Sequence, residues 1–176
     1  MYIAKGVLSR TDMDQVYGHL MGESIWNIGG GYANNSDPLM CYPRAIAMDD
    51  KGMHSPFIAG YFVATLAKIR EKIEQDYGFV IPSQSLATVA FNAQRKGNIP
   101  LFHTDGNSKG PMTWSAVGFL TPQWDESWGG ELQIEDKTFV YEPGDFVVFR
   151  SDLYHDALPI KVDTPFWRVS VALMMQ

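Results

Sequence analysis

In PLFHTDGNSKG, residues 100–110, a histidine and an aspartate stand two positions apart, with a glycine directly after the aspartate. In an extended segment His103 and Asp105 project to the same face. By itself such a pair reads first as a hydrogen-bonded loop contact. His155 lies fifty positions after Asp105, in FRSDLYHDALPI. It follows the apolar run DFVVF, where a long antiparallel excursion would return the chain. Two imidazoles and one carboxylate on one side of a metal ion leave three octahedral positions open. That donor set suits a ferrous ion that must admit further ligands.

Thirteen positions after His155 comes Arg168, in FWRVSVALM. The run alternates: Trp167, Val169, Val171 and Leu173 on one face, Arg168, Ser170 and Ala172 on the other. An arginine on an inward face is costly without an anionic partner. A ligand carboxylate would match its fork, with the Ser170 hydroxyl as a further donor. The competing reading pairs Arg168 with an acid of the protein, such as Glu131.

Elements able to hold these residues are visible in the same sequence. RTDMDQVYGHLMG places Met13, Val16, Tyr17, Leu20 and Met21 at helical spacing, with Ser9 or Thr11 as N-cap and Gly22 as a stop. SPFIAGYFVATLAKIREKIEQDYG is a second helix, capped by Ser55 with Pro56 in its first turn and ended by Gly78. Its buried stripe is Phe62, Leu66, Ile69, Ile73 and Tyr77. Between the helices GGGYANNSDPLMCYPR reads as a long loop. From Ser83 the pattern becomes β: LATVAFNA, MTWSAVGFL, ELQIE, TFVYE, DFVVF, ALPIKV and WRVSVALMM, separated by turn signals such as Gly129-Gly130 and Pro143-Gly144-Asp145. Many short strands suggest a sandwich, barrel or jelly roll with the helices covering its outside. The expectation is a single α+β domain over 1–176: helical support and a loop over 1–82, and the β core over 83–176.

Composition bounds the function. With 176 residues, 45% of them hydrophobic, the chain is long enough for one sizeable core. Twenty acidic against fourteen basic residues argue against generic nucleic-acid binding. Arg95-Lys96 near Lys109 reads as a solvated loop. Cys41 is the only cysteine, so no intramolecular disulfide framework is expected. The opening MYIAKGVLSR has neither a charged n-region nor a long apolar stretch, and no run approaches bilayer length. The protein is read as soluble and cytoplasmic or otherwise intracellular, with no membrane partner.

Taken in order, His103-x-Asp105, FLTPQWDESWGGEL, EPGDFVVFRSDLYH and Arg168-x-Ser170 resemble the Fe(II)- and 2-oxoglutarate-dependent dioxygenases, most closely those similar to prolyl hydroxylases. The resemblance covers about Ser85 to Met174. It implies a double-stranded β-helix, a jelly-roll barrel with helices buttressing one sheet. It implies Fe(II) held by His103, Asp105 and His155, and 2-oxoglutarate with its distal carboxylate on Arg168. The resemblance adds ascorbate as a candidate further cofactor. Relatives often carry a tyrosine at the position of Phe119. Ser170, Thr121 or Asn92 are then the candidates to supply its hydrogen bond to the cosubstrate. Collagen-type relatives often have lysine at the position of Arg168, which points away from that branch. Asp105 fills a coordination site that halogenating relatives leave open, so hydroxylation is favoured.

The implied reaction splits 2-oxoglutarate into succinate and carbon dioxide and hydroxylates a second substrate. Resemblance and acidic charge together favour a peptidyl proline in a peptide or protein. A free amino acid or a nucleobase is the alternative substrate. A cupin-like metalloprotein without 2-oxoglutarate and a catalytically silent binding domain are the alternative classes. Tyr32, Tyr42 and Arg44, on a lid loop spanning 29–49, and the loop bearing Trp124 and Trp128 are expected at the mouth. Packing of these aromatics on the barrel is the competing reading. No feature of the sequence specifies an oligomeric state.

Overall fold

A computed structural model of the chain describes residues 1–23, 26–28, 41–43, 48–49, 52–53, 56–82, 86–97, 101–106, 113–140 and 142–175. Helix α1, Arg10–Glu23, starts at a reciprocal cap. The Asp12 N–H donates to Ser9 Oγ at 3.1 Å, and the Ser9 N–H donates to Asp12 Oδ2 at 3.0 Å. Ser9 is therefore the cap, and Thr11 lies inside the helix. Met13, Val16 and Leu20 turn into the core. Helix α2, Pro56–Tyr77, buries Phe62, Leu66, Ile69 and Ile73 at spacings of four, three and four. Gly78, at φ +64°, ends it by donating its N–H to Glu74 O at 2.8 Å. Tyr77 departs from the expected stripe and is half exposed. Its ring meets Tyr2 edge-on at 5.3 Å, because the last turn overhangs the sheet edge. The Ser55 cap lies outside the described residues.

The strands are β1 (Tyr2–Ala4), β2 (Trp26–Ile28), β3 (Cys41–Pro43), β4 (Met48–Asp49), β5 (Gly52–Met53), β6 (Leu86–Gln94), β7 (Trp114–Phe119), β8 (Leu132–Ile134), β9 (Lys137–Phe139), β10 (Phe146–Arg150), β11 (His155–Ala157) and β12 (Arg168–Met175). One antiparallel sheet runs β1-β10-β7-β12-β6-β3-β2, and a smaller one β11-β8-β9. The stretch expected as a long loop thus contributes β3, which pairs with β2 just before that stretch and, through Cys41, with Ala93 of β6; the short β4–β5 hairpin follows it. This pairing extends the sheet past β6, whose edge would otherwise be open there. Tyr42 lies on β3, while Tyr32 and Arg44 lie outside the described residues.

Alternation sorts the large sheet into two faces. Val89, Phe91 and Ala93 of β6, Ala116 of β7, Phe146 and Val148 of β10 and Val169, Val171 and Leu173 of β12 pack into one cluster with the helices. Val117, Phe119, Val147 and Phe149 point the other way, against Leu132 and Ile134 of the small sheet. The helices therefore cover one face of the large sheet and the small sheet the other, leaving a cleft between the sheets. Among the described residues the two sheets remain separate hydrogen-bonded units. ALPIKV is strand only at its start, in β11, with a lone bridge from Ile160 to Gly129.

Gly118 sits at the centre of this arrangement, paired with Phe146 on β10 and Val171 on β12. A Cβ there would lie 2.2 to 2.7 Å from three carbons of the buried Phe146 ring. Gly118→Ala should therefore destabilise the protein by about 1–3 kcal/mol through overpacking. Urea unfolding checks this, and adding Phe146→Leu should restore part of the loss.

Candidate metal centre

His103 and His155 are joined by two backbone hydrogen bonds. The His155 N–H donates to His103 O at 2.9 Å, and the His103 N–H donates to His155 O at 3.2 Å. Residues opposed in this way carry their side chains on the same face, and the two rings lie 4.5 Å apart. Each ring is oriented by a carbonyl two residues earlier: His103 Nδ1 meets Leu101 O at 2.9 Å, and His155 Nδ1 meets Leu153 O at 3.0 Å. With Nδ1–H donating, each Nε2 keeps its lone pair for a metal.

Asp105 faces both nitrogens. Its Oδ1 lies 3.6 Å from His103 Nε2 and its Oδ2 3.5 Å from His155 Nε2. One ligand atom from each residue falls within 4.8 Å of the others. Burial pushes the Asp105 carboxyl up, but the hydrogen bond with His103, the neighbouring imidazoles and the Ser115 hydroxyl outweigh it and hold its pKa below the usual range. Burial, opposed by Asp105, lowers the His155 pKa. The hydrogen bond with Asp105 raises that of His103 against burial. An ionised Asp105 and a neutral His155 are the forms that bind metal. Two lone pairs and a carboxylate converging on one point favour a cation there, so the donor set fits a divalent ion.

The glycine after Asp105 has a geometric reason. A Cβ at Gly106 would lie 3.2 Å from three atoms of Ser151, and the Gly106 N–H donates to Ser151 O at 2.8 Å. The Ser115 hydroxyl donates to Asp105 Oδ2 at 2.7 Å and meets Ser151 Oγ at 2.8 Å. Since the single Ser115 proton goes to Asp105, Ser151 is the donor in the second contact. Asp156 accepts from the Leu101 N–H and, at 2.7 Å, from the Ala157 N–H, steadying the carbonyl that orients His103. Burial raises its carboxyl pKa.

From this triad an open cleft extends between the sheets. Arg168 lies in its wall and is 1% exposed. Its Nε donates to Gly130 O at 2.7 Å, and its Nη1 donates to Gln94 Oε1 at 2.8 Å and to Ser170 Oγ at 3.4 Å. Glu131, the acid considered for Arg168, accepts from Lys161 Nζ at 3.1 Å. Ser170 and Asn92 face each other in register and both line the cleft. The Asn92 Oδ1 is buried without a hydrogen-bond partner, which leaves it available to a bound molecule.

Thr121 is not brought into the cleft lining. Its Oγ1 accepts the Val169 N–H at 2.7 Å and donates to Trp167 O at 2.9 Å, securing the start of β12. Phe119 is buried with its ring 6.0 Å from the Arg168 guanidinium, and supplies no hydroxyl. Trp124 and Trp128, expected at the mouth, pack edge-to-face at 5.2 Å beside the Gly129-Gly130 turn and do not line the cleft. Trp124 Nε1 donates to Gly129 O at 2.9 Å. Ser115, Ser151, Gln94 and Asp156 carry no motif. The available signal is parity: Asn92 and Gln94 share one face of LATVAFNAQ, and Ser115 stands between apolar neighbours.

Residues 89–176 match the family model described as the 2OG-Fe(II) oxygenase superfamily, half of the chain. The chain belongs to this superfamily. No curated relative matches it in sequence. Solved structures share its fold across nearly its whole length. A Pseudomonas putida prolyl-4-hydroxylase is 17% identical, with a TM-score of 0.67 over 99% of this chain and 91% of that one. A Trichoplax adhaerens prolyl hydroxylase, solved with a hypoxia inducible factor peptide fragment, is 15% identical, with a TM-score of 0.64 over 99% and 82%. SnoK, a non-heme alpha ketoglutarate dependent carbocyclase of nogalamycin biosynthesis, is 14% identical, with a TM-score of 0.68 over 98% and 78%. Membership implies Fe(II) and 2-oxoglutarate, and the His-Asp-His donor set of this oxygenase fits the iron. No described helix is long and apolar enough to cross a membrane.

Ser115→Ala removes a donor to Asp105 without touching a ligand. It should weaken Fe(II) or Zn(II) affinity about 10- to 100-fold, measured by competition with a chromophoric chelator. Unchanged affinity would show that Asp105 is oriented without Ser115.

Proposed function

We propose that the chain is a 2-oxoglutarate-dependent hydroxylase acting on a prolyl residue of a peptide or protein. The observation that carries this reading is the pairing within one cleft of a His-Asp-His cluster with the buried Arg168. His103, Asp105 and His155 would hold Fe(II), with three positions left for cosubstrate and oxygen. Arg168 and Ser170 would hold the distal carboxylate of 2-oxoglutarate, with Asn92 beside them. Thr121 would act only indirectly, through the backbone at the start of β12. The iron and cosubstrate together supply the oxidising chemistry, with release of succinate and carbon dioxide.

The chain's own part is placement and exclusion of water. The His103–His155 bridge sets the metal ligands, Ser115 aims Asp105, and Val117, Leu132 and Ala172 wall the cleft with apolar surface. We read the two facing sheets as the halves of a double-stranded β-helix, and 1–176 as one oxygenase domain.

The prolyl hydroxylases among the solved relatives, one with a peptide bound, support the peptidyl-proline assignment. The carbocyclase at a similar TM-score supports a second reading, an oxygenase of a small free molecule. The cupin-like reading without 2-oxoglutarate leaves the buried Arg168–Ser170 pair without a purpose. Ascorbate belongs in the assay as accessory reductant.

Ala substitutions of His103, Asp105 or His155 should each abolish stoichiometric Fe(II) binding and succinate formation. A variant that keeps both removes its residue from the ligand set. Arg168→Lys keeps the charge but loses the fork. It should raise the KM for 2-oxoglutarate by about tenfold or more with little change in Fe(II) affinity. Proline-containing peptides should stimulate succinate release from 2-oxoglutarate more than free proline or nucleosides do. Stimulation by free amino acids at least as strong as by peptides would favour the small-molecule reading instead.

A further inference from the structure

His103 and His155 exchange both backbone hydrogen bonds, and their segments run antiparallel. Pairs that exchange bonds recur at every second residue of such a ladder. The next facing pair is therefore Leu101 and Ala157. A regular ladder would run the Ala157 N–H to Leu101 O and the Leu101 N–H to Ala157 O. Ala157 has the direction for it. Its even-numbered neighbours bond to the other side, Tyr154 O accepting from Glu135 and the Leu158 N–H donating to Glu131 O. Yet the His103–His155 bridge stands isolated.

One side chain takes both N–H groups of the missing rung. Asp156 Oδ2 accepts from the Leu101 N–H, and Asp156 Oδ1 accepts from the Ala157 N–H at 2.7 Å. The consequence falls on Leu101 O. Kept out of the ladder, it accepts from His103 Nδ1 at 2.9 Å. The other imidazole is held without Asp156: His155 Nδ1 meets Leu153 O at 3.0 Å, and its ring packs edge-on against Phe149 at 4.7 Å. The two also differ in shelter, the His103 side chain being 37% exposed and that of His155 6%. His103 therefore relies more on its one carbonyl partner.

We propose that Asp156 is a positioning residue: its carboxyl group stands in for the missing ladder rung and so releases the Leu101 carbonyl to orient His103 toward the metal. The inference rests on the reading that His103, Asp105 and His155 hold a divalent ion. It goes beyond that reading in making the aim of one ligand depend on a side chain outside the ligand set. Asp156→Ala is the informative variant. Without the carboxyl group the ladder can close by one more rung, which satisfies both N–H groups and draws Leu101 O away from the ring.

Zn(II) is the probe, because it takes the same donors and is diamagnetic. Proton–nitrogen NMR correlation of the Zn(II)-loaded protein reports which ring nitrogen carries each proton. In the wild type both rings should show a protected Nδ1–H. In Asp156→Ala the His103 Nδ1–H should exchange with water about tenfold faster or more, while the His155 signal stays as in the wild type. Zn(II) affinity, read by competition with a chromophoric chelator, should fall about 10- to 100-fold. The unfolding temperature of the metal-free variant should stay near wild type. Asp156→Asn keeps one acceptor oxygen and turns an N–H2 toward the other donor. It should lie between, with Zn(II) weakened about three- to tenfold.

An Asp156→Ala protein with wild-type His103 exchange and wild-type Zn(II) affinity would overturn the inference. Equal loss of both ring signals with a lowered unfolding temperature would also overturn it, since that marks a merely structural role. If Asp156→Ala fails to fold, Asp156→Asn decides, and an unchanged His103 signal there overturns the inference. A wild type that takes up no stoichiometric Zn(II) would instead remove the ligand reading itself, a result distinct from these.

Discussion

The two reciprocal backbone hydrogen bonds between His103 and His155 are the constraint on which the site depends. They bring together residues separated by 52 positions and fix which side of the chain each presents. With the rings held side by side, Asp105 reaches both by the two-residue repeat of an extended chain. Small groups secure the turn that follows. Gly106 lies against Ser151 where no Cβ would fit comfortably, and Ser151 and Ser115 pass a hydrogen bond to Asp105. Backbone and hydroxyl donors thus set the geometry, and the ligands are left free to point at one spot.

The large sheet performs two tasks with one alternation. On β12, Val169, Val171 and Leu173 anchor the strand in the core under the helices, while Arg168, Ser170 and Ala172 face the cleft. The apolar face supplies the burial that holds the strand in register, at roughly 1.5–3 kcal/mol for each large side chain fully buried. That register places Arg168 opposite Gln94 and Ser170 opposite Asn92. A buried guanidinium is expensive, and the Gly130 and Gln94 oxygens offset part of the cost. Polar groups collected on an otherwise apolar wall are the kind of local conflict that functional sites retain.

The solved relatives share at most 17% identity in the three comparisons quoted, yet their fold extends over nearly all of this chain. That combination follows from how the domain is built. Its core asks for apolar residues at the right parity and tolerates many choices among them. Its chemistry asks for a few residue types at fixed places, and these can persist while the surroundings change.

Local periodicity makes much of this legible in the residue order alone. The stripe Phe62, Leu66, Ile69 and Ile73 repeats with the helix, and the parity of FWRVSVALM separates Arg168 and Ser170 from the core. His103-x-Asp105 and His155 are readable because a metal needs particular donor atoms and an extended chain needs only a two-residue step to align two of them. Features that depend on partners distant in sequence cannot be read this way. The strands β2 and β3 form at the edge of β6, the hydroxyl of Thr121 is taken by the backbone at Trp167 and Val169, and Trp124 and Trp128 brace the Gly129-Gly130 turn. Ser115 and Gln94 are ordinary residues in the sequence and acquire roles only because pairing sets them beside Asp105 and Arg168. Residue type and parity are local properties, so the chain's residue order settles which atoms are available for chemistry. Strand register is settled by the burial of whole faces at once, so the folded chain alone settles which of those atoms meet.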